Sequence, residues 1–501
     1  MTIERITLVR CDPRSSNVYA AFAHPGLALP LLATVLGRAG YEVRVYVEAI
    51  EPPPWDELLR SDLVGITVNS ACFQESYALA DRLRAAGARC RVVFGGPHVT
   101  FLPEQALAHG DFVVRGEGER AILELVKALE RGGDGELARV AGLSWRGADG
   151  VMQHNPAAPL AQDIELVPDQ SLVVGFRRYL RTWWQRLFPT GVLVSTSRGC
   201  PHRCTFCSIP QTAGSTVRFR SLDAVMADIR QQISLSGRRY VYFADDNFTA
   251  DLRRTKALLR RMLAEPLEIR FSAQIRPDAA RDPELLDLLQ RAGCYLVFVG
   301  FESINDATLA AYRKGIASRA VLEHSVREFR RRRILVHGMF VVGSEEDGPG
   351  TALRTAQWAA AQRLDSIQIL PLYPLPGTQV LGELEQAGRV YKAWDPVREE
   401  AYIPYGAGNL VLTEPRHMPA DGLQEELLRA HRRFYSRAEI ARAALELPRR
   451  GLHPLVFRLL GRRLVRQAEP EIREHVAWLR GREPYRQRAL ARPDDGAFQS
   501  A

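Results

Sequence analysis

Residues 198–210 read RGCPHRCTFCSIP, which sets Cys200, Cys204 and Cys207 within eight positions of a 501-residue chain that has only seven cysteines. The spacing is C-x3-C-x2-C, and it follows directly on GVLVSTS (191–197), a β-branched run of strand character. The N-terminus, MTIERITLVR, enters another strand-like run at once, without the basic, apolar and small-residue zones of a signal peptide. No run approaches the roughly 18 to 20 apolar residues of a membrane span. The expectation is a cytoplasmic chain, in which clustered thiols serve metal or redox chemistry rather than a disulfide framework.

Downstream of GVLVSTS, the segments RYVYFAD, EIRFSAQ, YLVFVGFES, ILVHGMFVVG and SIQILPLYP alternate with helix-period stretches such as DPELLDLLQRAG and RAVLEHSVREFRRR. Six strand–helix units predict a partial (β/α)6 barrel over 186–400, with its chemistry at the carboxyl ends of the strands. The cysteine loop sits at the first of those ends. Upstream, β-branched runs at 4–10, 42–48, 62–68, 91–95 and 111–115 also alternate with helical segments. They predict an α/β domain of Rossmann or flavodoxin type over 1–140. LSWRGADGVMQH reads as a hairpin around Gly147–Gly150 inside a linker over 141–185, and 401–501 reads as a helical, Arg-rich region. A chain this long exceeds a single core, and 46% apolar with 25% charged residues excludes dominant disorder.

Net charge is +9, and 431–501 holds sixteen Arg, no Lys and eight acidic residues. Such a bias suits an anionic membrane surface, nucleic acid or plain solvated helix faces. The segment HPLVFRLLGRRLVRQ (453–467) interleaves Arg with apolar residues, as a peripheral membrane contact or a core-packing helix does.

Ordinary electron-transfer clusters are held by four Cys, so three close thiolates leave one iron of a cubane open. Structural zinc is the rival, with His202 as a fourth ligand, but zinc sites use paired C-x2-C spacing, and Cys11, Cys72, Cys90 and Cys294 are scattered. C-x3-C-x2-C with Phe206 before its last cysteine, after the first strand of such a barrel, resembles the radical S-adenosylmethionine (SAM) superfamily. The resemblance implies a [4Fe–4S] cluster on Cys200, Cys204 and Cys207, whose open iron is chelated by SAM and whose electron cleaves the sulfonium to a 5′-deoxyadenosyl radical. It places SAM contacts at Phe206, at Asp245, Asp246 and Asn247, at Ser272, Gln274 and Arg276, and at Glu302 and Ser303, each set ending a strand. Pro374–Thr378 matches a proline–glycine turn at the end of this barrel.

In the first domain, Gly95-Gly96-Pro97-His98 ends the fourth strand and Arg115-Gly116-Glu117-Gly118-Glu119 the fifth. Ahead of such a barrel they resemble the cobalamin-binding domain fused to many radical enzymes. That implies cobalamin contacts at Asn69, Ser70, Gly95, Gly96, Pro97, His98, Gly116 and Glu117. The D-x-H-x-x-G signature that supplies a histidine to cobalt is absent, and His24 and His98 are the histidines near the expected face.

The resemblance implies a class B radical SAM methyltransferase that methylates an unactivated carbon of a small molecule, such as a hydrophobic lipid or a tetrapyrrole. Its electron comes from a donor of the flavodoxin or ferredoxin kind. Radical cyclisation, coupling or rearrangement with the same cofactors is the alternative reaction. A cobalamin-binding sensor or nucleic-acid-associated module would have no use for the barrel motifs. Transfer-RNA methylthiolation would want a second three-cysteine cluster, which Cys11, Cys72 and Cys90 do not form.

Overall fold

The computed structural model describes residues 2–13, 24–182, 185, 192–265, 267–316, 318–395, 398–406 and 408–482. The β-branched runs of the first domain become β1 (Arg5–Arg10), β2 (Glu42–Val47), β3 (Leu63–Thr67), β4 (Arg91–Gly95) and β5 (Phe112–Val114), all parallel. The sheet order is β2-β1-β3-β4-β5-β6-β7. Its parallel part is the flavodoxin order, which opens a crevice at the carboxyl ends where the winding reverses between β1 and β3. The helices between strands are amphipathic. In Glu119–Arg131 the buried face is Ala121, Ile122, Leu125, Val126 and Ala128, against the sheet, and Gly132 ends it.

The predicted hairpin forms as β6 (Leu143–Arg146) and β7 (Met152–His154). It does not stand in a free linker: β6 pairs antiparallel with β5 and extends the first sheet. The segment after it is clamped too. Gln170, fully buried, donates to Leu193 O at 2.9 Å, and Asp169 N donates to Thr34 Oγ1 at 2.8 Å.

The second sheet begins with β8 (Leu193–Val194), beyond whose end β9 (Ser197–Arg198) pairs antiparallel with β10 (Arg218–Phe219). There follow β11 (Tyr240–Phe243), β12 (Arg270–Ile275), β13 (Cys294–Glu302), β14 (Leu335–Val342) and β15 (Ser366–Pro371). The order β15-β14-β13-β12-β11-β8 is sequential and parallel throughout, the winding of a partial (β/α)6 barrel. A small hairpin, β16 (Ala393–Asp395) and β17 (Glu400–Tyr402), follows.

An open barrel leaves an edge whose backbone groups need partners. Helix Ala420–Phe434 and the residues after it cover β15: Tyr435 donates its hydroxyl to Ile367 O at 2.7 Å and accepts from Ile367 N at 3.0 Å. His431 Nε2 accepts from Ile369 N at 3.3 Å. The long helix His453–Arg480 packs outside this layer, with Arg458, Gly461, Ala468 and Ile472 on its buried face. Arg458 therefore leaves the surface charge of the tail. Its guanidinium lies 3.6 Å from the Phe434 ring centroid and donates to Phe434 O and Leu364 O. Among the described residues no helix is long and apolar enough to cross a membrane.

Candidate active site

The cysteine loop is built by its backbone. Gly199 has φ +88°, and a Cβ there would lie 2.8 Å from Gly214 O and 3.0 Å from the carbonyls of Ala213 and Thr216. Only glycine turns the chain so tightly after β9. Cys200 N donates to Gly214 O at 3.3 Å, Thr205 N to Tyr312 O at 3.2 Å, and Val380 N to Thr205 O at 3.2 Å. The three cysteines are free and only partly exposed. Burial pushes the Cys204 thiol up and the Cys207 thiol up to about 12, so a metal must displace their protons on binding. No three His, Cys, Asp or Glu side chains among the described residues gather round a point that one ion could fill. Three thiols on one loop fit a cluster, where each sulfur takes a different iron.

Strand ends surround that loop. Lys314, Glu302 and Arg276 supply the field at Cys204, and Asp246 adds to that at Cys207. Glu302 sits at φ +62° where β13 slips its register against β14, and Lys314 Nζ donates to its Oε1 at 2.5 Å. Gly300 makes this possible, because a Cβ there would meet Glu302 Oε1 at 2.5 Å. Arg276 donates to Lys314 O at 2.7 Å and to Asp278 Oδ1 at 3.2 Å. Asp246 is pushed up to about 6 by burial and by Asp245, and accepts the Gly199 N–H. Gln274 donates to Tyr242 Oη at 2.9 Å, and Phe206 packs its ring 4.9 Å from Tyr312.

Other expected SAM contacts are turned inward. Asp245 is buried beneath the loop, where it accepts from Thr196 N at 3.1 Å, Thr196 Oγ1 at 2.8 Å and Ser197 Oγ at 2.5 Å. Asn247 Oδ1 caps its own turn at Thr249, and Ser303 Oγ accepts from Asn305 N at 3.1 Å. Ser272 is bonded to the Tyr295 phenol inside the barrel. Lys314 had no signal in the sequence, since only the irregular end of β13 brings it to Glu302.

The carboxyl ends of the first sheet face the end of β8, β9 and the chain just after the cysteines across one cavity of about 440 Å³. Gly95, Gly96, Pro97, Gly116 and Glu117 line one side, and Ser195, Arg198, Ser208, Ile209, Thr212 and Arg220 line the other. Its floor runs between strands to Leu8, Ile66 and Val93, the reversal point of the winding. Ile164, Leu166 and Pro168 of the clamped segment close a side.

Asn69, Ser70 and His98 are not on that wall. Asn69 Oδ1 accepts from Ala71 N and the Cys72 thiol. His98 is buried, with Nδ1 bonded to Ser70 Oγ at 3.0 Å and Nε2 to Gln105 Oε1 at 3.1 Å; burial lowers it to about 4. Its ring stacks on Phe73 and meets Tyr405 edge-on, so it packs one domain against the other. His24 Nδ1 accepts from Gly26 N at 3.1 Å. A second domain contact is the proline–glycine turn, where a Cβ on Gly377 would lie 2.4 Å from the Phe101 ring.

Glu117 does more than line the cavity. It accepts from Arg198 at 3.1 Å, from both terminal nitrogens of Arg218 at 2.8 Å, and from Ala161 N at 2.7 Å. Those contacts hold its carboxyl below the usual range against the opposing effect of burial. Arg198 also meets Glu119 at 2.5 Å and immediately precedes Gly199, so the end of β5 is tied to the cysteine loop. Glu117→Gln is expected to cost about 2 kcal/mol of stability by leaving two guanidiniums half-paired. Urea unfolding checks it, and an unchanged midpoint contradicts the coupling.

The residues present fit the expected groups: three thiols with acidic and basic strand ends around them for a cluster and SAM, and glycine-edged strand ends over an apolar floor for a corrinoid. Residues 194–355 match the Radical SAM superfamily, and residues 17–126 match the B12 binding domain. An uncharacterized methyltransferase of Pyrococcus horikoshii is 27% identical over 433 residues, covering 83% of this chain and 89% of its own. The bacteriochlorophyllide d C-12(1)-methyltransferase of Chlorobaculum tepidum is 26% identical over 76% of both chains. The fold is shared with the radical SAM methyltransferase TsrM from Kitasatospora setae, solved with cobalamin and a [4Fe–4S] cluster, at TM-score 0.68 and 20% identity over 94% of this chain and 100% of that one. The chain is thus a radical SAM enzyme in which a Radical SAM domain follows a B12 binding domain.

Proposed function

We propose that this enzyme methylates an unactivated carbon of a small hydrophobic molecule, a lipid or a tetrapyrrole, by cobalamin-dependent radical chemistry. The observation that carries the reading is the shared cavity: Gly95, Gly96 and Gly116 face Ser208, Ile209 and Thr212 of the cysteine loop across apolar walls. One substrate carbon there is within reach of groups held by both domains. When bound, the cluster and SAM supply the hydrogen-abstracting radical, and cobalamin supplies the methyl group. Cys200, Cys204 and Cys207 hold the iron; Asp246, Arg276 and Glu302 orient SAM; Gly95, Gly96, Pro97 and Gly116 let a bulky ring approach the backbone. Ile164, Leu166 and Pro168 exclude water from the cavity. A tetrapyrrole or lipid substrate agrees with the apolar lining and with the bacteriochlorophyllide methyltransferase among the relatives. The enzyme works in the cytoplasm with a flavodoxin- or ferredoxin-type donor.

SAM labelled in its methyl group is expected to pass label to product, with 5′-deoxyadenosine and S-adenosylhomocysteine formed in about equal amounts, as separate radical and methyl-donor roles require. Mass spectrometry of an anaerobic reaction reads all three. Deoxyadenosine without homocysteine, beside an unlabelled cyclised or rearranged product, overturns methylation in favour of the alternative reaction.

A further inference from the structure

The C-terminal helices carry a surface that the reaction does not use. Among the described residues, seven large apolar side chains are markedly exposed, and four of them, Leu445, Leu447, Leu452 and Leu459, fall within fifteen residues. Leu445 is 82% exposed. The inward face of helix His453–Arg480 is pinned by Arg458 on Phe434 and by Gly461, where a Cβ would lie 2.2 Å from the Tyr435 ring. That fixes what points outward. Leu452, Leu459, Arg463 and Arg466 recur at intervals of seven, four and three residues, one stripe about 21 Å long.

Beside the stripe, a groove between helices Arg437–Leu445 and His453–Arg480 is lined by Ile440, Leu459, Arg437, Arg462, Arg463 and Arg466, with Leu459 half exposed along it. No carboxylate among the described residues lies within ion-pair distance of Arg437, Arg463 or Arg466, although Arg432, Arg433, Arg442 and Arg473 nearby are all paired. Desolvation and then the charges of Arg466 and Arg437 lower Arg462. Among the described residues, positive charge is thus concentrated and left uncompensated next to exposed leucines.

We infer that this face docks on an anionic lipid bilayer, the arginines taking headgroup phosphates and the leucines entering the acyl boundary. A nucleic acid would use the arginines but leave four leucines in water; a bilayer uses both. Docking at a bilayer gives the enzyme access to hydrophobic molecules dissolved there. The inference does not depend on the reaction, since vesicle binding requires no turnover.

Flotation of the full-length protein with phosphatidylglycerol–phosphatidylcholine vesicles tests it, against pure phosphatidylcholine vesicles and duplex RNA. Binding to the mixed vesicles is expected, weakening with salt because the attraction is screened within about 8 Å. Arg463→Gln with Arg466→Gln is expected to weaken it by about tenfold or more. Leu452→Ser with Leu459→Ser is expected to weaken it at high salt as well. Arg120→Gln with Arg139→Gln removes the same charge from the exposed first domain and is expected to change binding by less than about twofold. All these positions are exposed, and circular dichroism verifies folding. Equal binding to neutral vesicles, an equal loss in the Arg120/Arg139 pair, or binding to RNA with none to vesicles overturns the inference.

Discussion

Replacing any one of Cys200, Cys204 or Cys207 by Ala is expected to give a folded chain that assembles no cluster and cleaves no SAM. The reason is local supply. Cys294 is buried in β13, and Cys11, Cys72 and Cys90 are buried beside the ends of strands and helices of the first domain, so none can swing into the loop. His202, the rival zinc ligand, is partly buried and lowered by desolvation and the charge of Arg276. Anaerobically reconstituted wild type should carry about four irons per chain, and each variant almost none. Iron analysis with electron paramagnetic resonance measures this, and an unchanged thermal midpoint separates lost ligation from lost fold. Tetrahedral zinc in place of iron ends the cluster reading.

Asp245→Ala is expected to cost about 3 to 5 kcal/mol of stability, a large share of the whole for one domain. The carboxylate is 1% exposed and receives Thr196 N, Thr196 Oγ1 and Ser197 Oγ, two residues ahead of the cysteine loop. Alanine leaves those donors buried and unpaired, and the β8–β9 connection loses its anchor on β11. Iron content should fall in parallel. Asp246→Asn is the contrast: Asp246 keeps contact with solvent although packing on one side raises its carboxyl, and it accepts only the Gly199 N–H, so stability should change by less than about 1 kcal/mol while SAM affinity falls. Chemical denaturation and equilibrium dialysis read the two effects. A small loss at Asp245 would mean that the loop is held from elsewhere.

This pair shows how far adjacent residues diverge once folded. Asp245 and Asp246 are alike in the sequence, but the chain bends at Asp246 just past the end of β11, which separates the two side chains. One falls under the loop and the other beside it. His98 and Glu117 diverge in the same way from their motifs. Gly95-Gly96-Pro97 lines the cavity, while the next residue, His98, is drawn into the packing against Phe73 and Tyr405. Glu117 acquires its role from Arg198 and Arg218, respectively 81 and 101 residues away, which no local pattern connects to it.

What the sequence by itself determined is whatever depends on short-range spacing. C-x3-C-x2-C after a β-branched run, glycines at strand ends and the alternation of period-2 with period-3.6 segments specify a cluster loop, a parallel barrel and an α/β domain ahead of it, because those chemistries and periodicities are set within a few residues. Only the tertiary structure decided which polar groups at the strand ends face the cavity and which are used up as fasteners. It also decided that β6 and β7 complete the first sheet, that Tyr435 and His431 seal the open edge at β15, and that Arg458 is core while Arg463 is surface. A buried polar group must find its partner wherever the fold brings one, and burial is a property of the packed whole.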